Sequence, residues 1–216
     1  MVQCRMTSQP KVLKGPVKLK RFAATYAGRC DKEKTKHRAE GLRRRIGTLQ
    51  ELLYANSKQA VLLLFQGVDA SGKDGAIRSV LQEVNPAGVE TTNFKVPSAE
   101  ESAHDFLWRV HRAIPRRGNI GVFNNFHYEA VLVERVHGGL PERAVKQRYR
   151  QIVDFERMLG ENGVVGLKLF LHLGRADQRK RFEERLVIPR KKWKFSAGDL
   201  EIRGAGKSIC PFTRTC

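Results

Sequence analysis

Between Gly67 and Gly75 the chain reads GVDASGKDG, with three glycines, one lysine and two aspartates in nine residues. Glycines let a backbone curl until several N–H groups point inward at one anion. Lys73 adds a full, mobile positive charge that can follow a phosphoryl group in transit. The run from Gly67 to Lys73 follows the phosphate-loop pattern G-x-x-x-x-G-K-S/T up to its last position, where Asp74 replaces the hydroxyl residue. That hydroxyl normally holds magnesium, so the metal needs another ligand, and Asp69 inside the loop is the candidate. Gly67, Ala70, Ser71, Gly72, Lys73, Asp74 and Gly75 are therefore the candidate phosphate-binding residues, with Asp69 and Lys73 catalytic and Asp69 the metal ligand.

Such a loop works only if a strand feeds it and a helix leaves it. Val61–Phe65 is a continuous apolar run, as a strand buried on both faces requires. The segment from about Gly75 to Val84 has helical spacing and stops at Asn85-Pro86-Ala87-Gly88. Its positive N-terminal end would face the anion. Upstream, Leu42, Ile46, Leu49, Leu52 and Leu53 recur at helical spacing, predicting an amphipathic helix from about Lys36 to Ala55 with these residues against the sheet. Val89–Lys95 predicts a second strand. Ser98 with Glu101 forms a capping box opening a helix that runs to about Ala113, with Phe106, Leu107 and Val110 on one face. Pro115–Gly118 is a turn. Ile120–Asn124 predicts a third strand, about Pro141 to Asn162 a helix with Tyr149, Ile152, Val153, Phe155 and Leu159 inward, and Val164–Leu173 a fourth strand.

Strands alternating with helices make a doubly wound parallel sheet the expected α/β fold. In such sheets the carboxyl ends of the strands line the active crevice. Asn124, at the end of the third strand, and His127, just past it, are thus placed facing the loop around Lys73. Residues 175–195 form the most basic helical stretch, and Arg181 and Arg185, four apart, share a helix face. Positioned arginines stabilise the charge that spreads over oxygens in phosphoryl transfer, so a lid helix carrying Arg185 as a catalytic group fits this stretch.

At 216 residues the chain is long enough for a substantial single core. Lys and Arg number 41 against 22 Asp and Glu, a net charge of +19, which calls for a polyanion or acidic surface as partner. Charge alone does not choose among nucleic acid, polyphosphate and anionic lipid. Cys4, Cys30, Cys210 and Cys216 form no C-x-x-C pair, so zinc is not expected, and free thiols point to a reducing, cytoplasmic setting. No run approaches the ~20 apolar residues of a membrane span, so no membrane partner is expected. Residues 1–36 are basic and without sustained periodicity, as a flexible arm would be.

From about Leu42 to Arg203 the chain resembles the polyphosphate kinase 2 family, phosphate-loop kinases that move phosphoryl groups between inorganic polyphosphate and nucleotides. The resemblance is carried by FQGVDASGKDG at 65–75, VNPAGVETTNFKVPS at 84–98, HDFLWRVHRAIPRRGNIGVFN at 104–124, HYEAVLVERVH at 127–137 and KKWKFSAGDLE at 191–201. The family's loop, G-x-D-A-x-G-K-D/G-G, accounts for Asp74. It implies a P-loop kinase-like three-layer sandwich, a parallel sheet flanked by helices, with a basic helical lid at 175–195 inside a domain spanning 37–203. It implies Mg2+ at Asp69 and contact of Lys73 with the transferred group. It also implies that Lys95, Arg109, Arg135, Arg179 and Arg185 neutralise polyphosphate or nucleotide phosphates, with ADP, AMP or GDP as the nucleotide, and a homo-oligomeric assembly.

The departures are specific. After the third strand the family usually reads Asn/Asp-Arg-Ser-His/Tyr-Tyr-Glu-Asp, whereas here Asn125, Phe126 and Ala130 replace the arginine, the serine and the final aspartate. In the lid, the usual Leu-Asp-Asn/Asp-Pro reads Leu186-Val187-Ile188-Pro189. Losing a charged partner in such a site costs ~10²–10³ in rate. After Arg203 the family continues through further helices and a last strand, while this chain reads GAGKSICPFTRTC, a non-family tail at 204–216. The expectation is that the last strand and C-terminal helices are missing, as a frameshifted or truncated gene would leave them, with an exposed apolar sheet edge as the result. Two further readings stand beside the kinase: a catalytically impaired remnant that still binds polyphosphate or nucleotide, and a nucleic-acid binder. The second lacks aromatic platforms interleaved with basic residues, so no specific nucleic-acid partner is expected.

Overall fold

The strand that feeds the loop is the most deeply set element. In β1 (Ala60–Gly67), every residue from Leu62 to Gln66 is buried. The computed structural model describes Ala24, residues 31–124, Val131 and residues 141–189. Two compact units divide the chain: Met1–Leu42 with His172–Cys216, and Arg43–Leu171. His127, Arg135, the 125–130 departures and the 204–216 tail lie outside the described residues, as does most of the N-terminal arm.

The unit from Arg43 to Leu171 carries a four-stranded sheet in the order β2-β3-β1-β4, with β2 at Val89–Asn93, β3 at Ile120–Asn124 and β4 at Val164–Leu171. All three pairings are parallel, and Leu63 aligns with Val122 on one side and Leu167 on the other. Alternation of side chains then sorts the apolar run onto two faces. Leu62, Leu64 and Phe123 pack under α4 (Trp108–Arg112) and α5 (Glu142–Glu161). Leu63, Phe65 and Val122 pack under α2 (Lys73–Val80) and the C-terminal part of α1 (Lys32–Asn56). Helices on both faces of a parallel sheet make the expected three-layer α/β sandwich.

Several boundaries and faces differ from the sequence reading. In α1, Ile46 and Leu53 reach the core, but Leu42, Leu49 and Leu52 are 52%, 53% and 62% exposed. The helix instead buries Gly47 and Gln50. A Cβ at Gly47 would lie 2.3 Å from the Glu83 carbonyl oxygen, so close backbone approach, not leucine spacing, sets the rotation. Gln50 Oε1 accepts from the Asn85 N–H at 3.3 Å beside it. The helix after the loop ends at Val80 and continues as turns to the Asn85 cap of a short 3₁₀ segment, Pro86–Gly88.

The capping box is present, with Ser98 Oγ accepting from the Glu101 N–H and Glu101 Oε2 from the Ser98 N–H. The single helix predicted from it is two: α3 (Ala99–Ser102) and α4, parted at Asp105. Asp105 Oδ1 accepts from the Leu107 N–H at 2.9 Å and its carbonyl from Trp108, restarting the helix there. In α5, Tyr149, Ile152, Phe155 and Leu159 point inward as predicted, but Val153 is 45% exposed and Val145 takes a core position. On β4, Val165, Leu167 and Leu169 are exposed along one face.

In the other unit, α6 (Arg175–Val187) is the described part of the basic stretch and buries Gln178 and Phe182. No helix among the described residues is long and apolar enough to cross a membrane.

Phe123 is fully buried and meets the edge of Phe94 at 5.0 Å between ring centroids. Phe123→Ala should therefore cost about 3–5 kcal/mol in urea unfolding, with no change in m-value.

Candidate phosphate-binding site

At the carboxyl end of β1 the chain must turn back on itself at once. Gly67 permits this because there is no room for a side chain: its Cβ would fall 2.6 Å from Ser71 Oγ and 2.9 Å from the Leu171 carbonyl oxygen. The Ser71 N–H closes the turn on the Val68 carbonyl at 3.0 Å. Ala70 holds φ at +60° and Gly72 at +94°. The left-handed region is open to glycine and costs an alanine about 1 kcal/mol, so strain is stored at Ala70. Gly72 is the N-cap of α2 and offers no side-chain cap, which leaves the first N–H groups of the helix for an anion.

Lys73 opens α2, and its Nζ donates to the Gly67 carbonyl at 2.8 Å. The lysine thus lies folded across the loop. Asp74, in the first turn of α2, accepts through Oδ1 from Asn124 Nδ2 at 3.1 Å. Since Asn124 ends β3, this bond ties the helix start to the neighbouring strand. The structure therefore gathers Gly67, Asp69, Ala70, Ser71, Gly72, Lys73, Asp74, Gly75 and Asn124 at one end of the sheet.

Lys95, two residues past β2, is exposed. Arg109 is largely engaged: Nη2 donates to the Lys95 carbonyl at 2.8 Å, Nη1 lies 3.4 Å from Glu101 Oε2, and the guanidinium sits 5.0 Å from the Phe94 ring centroid. It braces the segment after β2, with only 13% of its side chain exposed. Arg179 and Arg185 lie on α6 in the other unit. Arg179 Nε donates to Glu183 Oε1 at 2.7 Å and Arg185 stacks on Phe182 at 5.1 Å.

Three oxygens around the loop are buried without a hydrogen-bond partner: Gln66 Oε1, Ser71 Oγ and Asn124 Oδ1. Each buried, unmet polar atom costs about 1–3 kcal/mol. Ser71 Oγ and Asn124 Oδ1, with the Asp69 carboxylate, are oxygens of the kind that magnesium and its bound waters favour, whereas Gln66 projects from the opposite face of the sheet with Leu62 and Leu64. Among the described residues no cluster of three His, Cys, Asp or Glu side chains forms. Magnesium does not need one, because it commonly takes one or two carboxylates and leaves the rest of its shell to water and phosphate. The residues present fit that ion. Gln66 did not figure among the sequence candidates. Its signal is a polar residue closing an apolar run that is buried on both faces.

Comparison with known proteins places this geometry. The family model described as Polyphosphate kinase 2 (PPK2) matches residues 29–206. An AMP/ADP-polyphosphate phosphotransferase of Meiothermus ruber is 48% identical over 191 residues, covering 88% of this chain and 72% of that protein. An ADP-polyphosphate phosphotransferase of Rhodopseudomonas palustris is 51% identical over 171 residues, covering 74% and 59% respectively. The crystal structure of polyphosphate kinase 2 from Arthrobacter aurescens superposes with a TM-score of 0.86 at 34% identity, covering 93% of this chain and 72% of the other. The chain thus spans roughly three fifths to three quarters of the length of these proteins.

Replacing Gln66 with Met removes the unmet acceptor at similar volume. Gln66→Met should raise the melting temperature of the ligand-free protein, by about 1 kcal/mol of stability. The added stabilisation from magnesium with inorganic triphosphate should be unchanged in the same variant, because Gln66 projects from the face opposite α2. A diminished ligand-induced shift would show that Gln66 reaches the ligand at the loop.

Proposed function

The chain belongs to the polyphosphate kinase 2 family, and from that premise we propose that it transfers a phosphoryl group between inorganic polyphosphate and a nucleoside mono- or diphosphate. The observation that carries this reading is the loop itself: a glycine-hinged turn, an uncapped helix start and Lys73 resting on the Gly67 carbonyl at 2.8 Å. That contact is one a phosphate can exchange for itself without moving the backbone.

In the forward direction a terminal phosphate oxygen of the acceptor attacks the terminal phosphorus of polyphosphate. A new P–O bond forms as the bond to the bridging oxygen breaks in line. The nucleotide gains one phosphoryl group, and the shortened polyphosphate leaves with the electron pair on its new terminal oxygen. No covalent bond to the protein is needed, so positioning and charge neutralisation carry the catalysis. The backbone N–H groups from Gly72 to Gly75 hold phosphate oxygens. Lys73 leaves Gly67 and follows the migrating group. Asn124 keeps Asp74 turned toward β3, which holds the helix start in place. Asp69, with the Ser71 and Asn124 oxygens at the same end of the sheet, would hold magnesium, which would supply neutralisation of phosphate charge. Lys95 is a proposed phosphate contact, and Arg109 positions it through the Lys95 carbonyl. Arg179 and Arg185, like His127 and Arg135, are proposed phosphate-binding residues on the strength of the family resemblance. ADP and AMP are the proposed acceptors, as in the names of the relatives, and GDP extends the same chemistry.

Self-association belongs to the same proposal, because Val165, Leu167 and Leu169 leave an apolar strip on one face of β4. Leu167→Lys should lower association in light scattering while changing stability by no more than about 0.5 kcal/mol.

The direct test is nucleoside triphosphate or diphosphate formation from polyphosphate with ADP or AMP and magnesium. Lys73→Ala should lower kcat by ~10²–10³ with a smaller effect on KM. No product from the unaltered chain, under conditions where a longer relative turns over, would sink the proposal and leave a phosphate-binding remnant in its place.

A further inference from the structure

The solvent face of α5 carries Arg143, Lys146 and Arg150, all exposed. Several cations elsewhere in this unit pair with acids: Arg109 with Glu101, Arg112 with Glu100, Arg116 with Glu90, Arg157 with Asp154 and Lys168 with Glu156. Arg148, on the same helix, leans on the Phe106 ring at 4.9 Å. Arg143, Lys146 and Arg150 have no hydrogen bond, ion pair or ring contact among the described residues. At 3.6 residues per turn they fall within an arc of about 60° and span ~10 Å along the axis. They form one narrow file, opposite the side that buries Val145, Tyr149 and Ile152.

The direction of the file is fixed by topology. The C-terminus of α5 turns through Asn162 and Gly163 into β4, and the Gly163 carbonyl accepts from the Ala60 N–H at the start of β1. That end of α5 therefore sits at the amino edge of the sheet. Its N-terminus, with Arg143, rises to the carboxyl edge, where residues 67–75 form the loop. The file starts at the level of the loop and leads away from it.

We propose that this file is an outlying track for the polyphosphate chain, engaging phosphates several units from the one being transferred. The inference rests on the polyphosphate reading and adds a site to it. A file one side chain wide suits a single flexible polyanion strand, with a charge on every repeat, better than a duplex, whose charges lie on two separated rails. The track supplies affinity that grows with chain length and leaves the chemistry at Lys73 untouched. Short donors cannot reach it and long donors can.

The test compares Arg143→Gln/Lys146→Gln/Arg150→Gln with a charge-matched control, Arg44→Gln/Arg45→Gln/Arg78→Gln. The control cations are likewise exposed and unpartnered, on the helices over the opposite face. With long-chain polyphosphate the track variant should raise KM about tenfold or more. With triphosphate as donor, KM and kcat should stay at the unaltered values. The control should move neither. In direct binding of long polyphosphate against salt, the slope of log K on log salt should fall by about 2, at ~0.7 per lost contact on a single strand. Equal effects in both variants would mean a diffuse field and overturn the track. So would an unchanged long-chain KM in the track variant. Competition by single-stranded nucleic acid as effective as by polyphosphate would reassign the file to nucleic acid. Absence of turnover with every donor would defeat the kinase reading, and the binding slopes would still decide the track.

Discussion

The close approach at Gly67 is the constraint on which the site depends. The Ser71 hydroxyl and the Leu171 carbonyl occupy the space where a side chain would stand. Only glycine lets β1 end there and turn immediately, and only an immediate turn brings Lys73 back to within 2.8 Å of the Gly67 oxygen. Everything else serves to hold that turn steady. β1 is fixed between β3 and β4, and Asn124 reaches from β3 to the first turn of α2. The loop is thereby braced by two adjacent strands, which is what keeps an alanine at a φ of +60°.

The bracing leaves a deliberate deficit. A site with buried oxygens at Ser71 and Asn124 and no donors for them is less stable than an apolar one of the same shape. That deficit gives a hydrated cation and its phosphate something to return on binding. It also explains why the lysine rests on a backbone carbonyl. A carbonyl satisfies the ammonium without a carboxylate partner, and so without an ion pair that phosphate would have to break. The resting contact is weak enough to be exchanged and strong enough to keep Lys73 from wandering.

Much of this was legible in the residues, for reasons that differ by element. The run Val61–Phe65 could only be a strand buried on both faces, and Ile120–Asn124 matches its predicted span because a turn at Pro115–Gly118 and the end of an apolar run bracket it. The loop was legible because glycine spacing is itself geometry. What was not legible is which face a helix turns inward when backbone contact outweighs side-chain burial. In α1 the leucine periodicity pointed one way, and the approach of Gly47 to the Glu83 carbonyl turned the helix another. The break at Asp105 was hidden for a related reason: one side-chain acceptor, competing for the Leu107 N–H, outweighs the helix propensity of its neighbours. Gln66 was passed over because a polar residue at a strand end usually marks nothing more than the edge of the core.

The surplus of positive charge divides by what each cation is bound to. Arg109 is spent on Glu101, Phe94 and a carbonyl, so it shapes the segment after β2 and has little left for a ligand. Lys73 is held reversibly, which suits a group that must move. Arg143, Lys146 and Arg150 are held by nothing among the described residues, at the cost of mutual repulsion along one helix face. Glu142, four residues before Lys146, and Asp154, four after Arg150, flank the file, and Asp154 is engaged by Arg157. Three cations on one helix face without an ion pair among the described residues are what a single polyanion strand would need. The fold can tolerate their repulsion because the opposite side of α5 is anchored by Val145, Tyr149, Ile152, Phe155 and Leu159, whose burial outweighs a few tenths of a kcal/mol per like-charged pair.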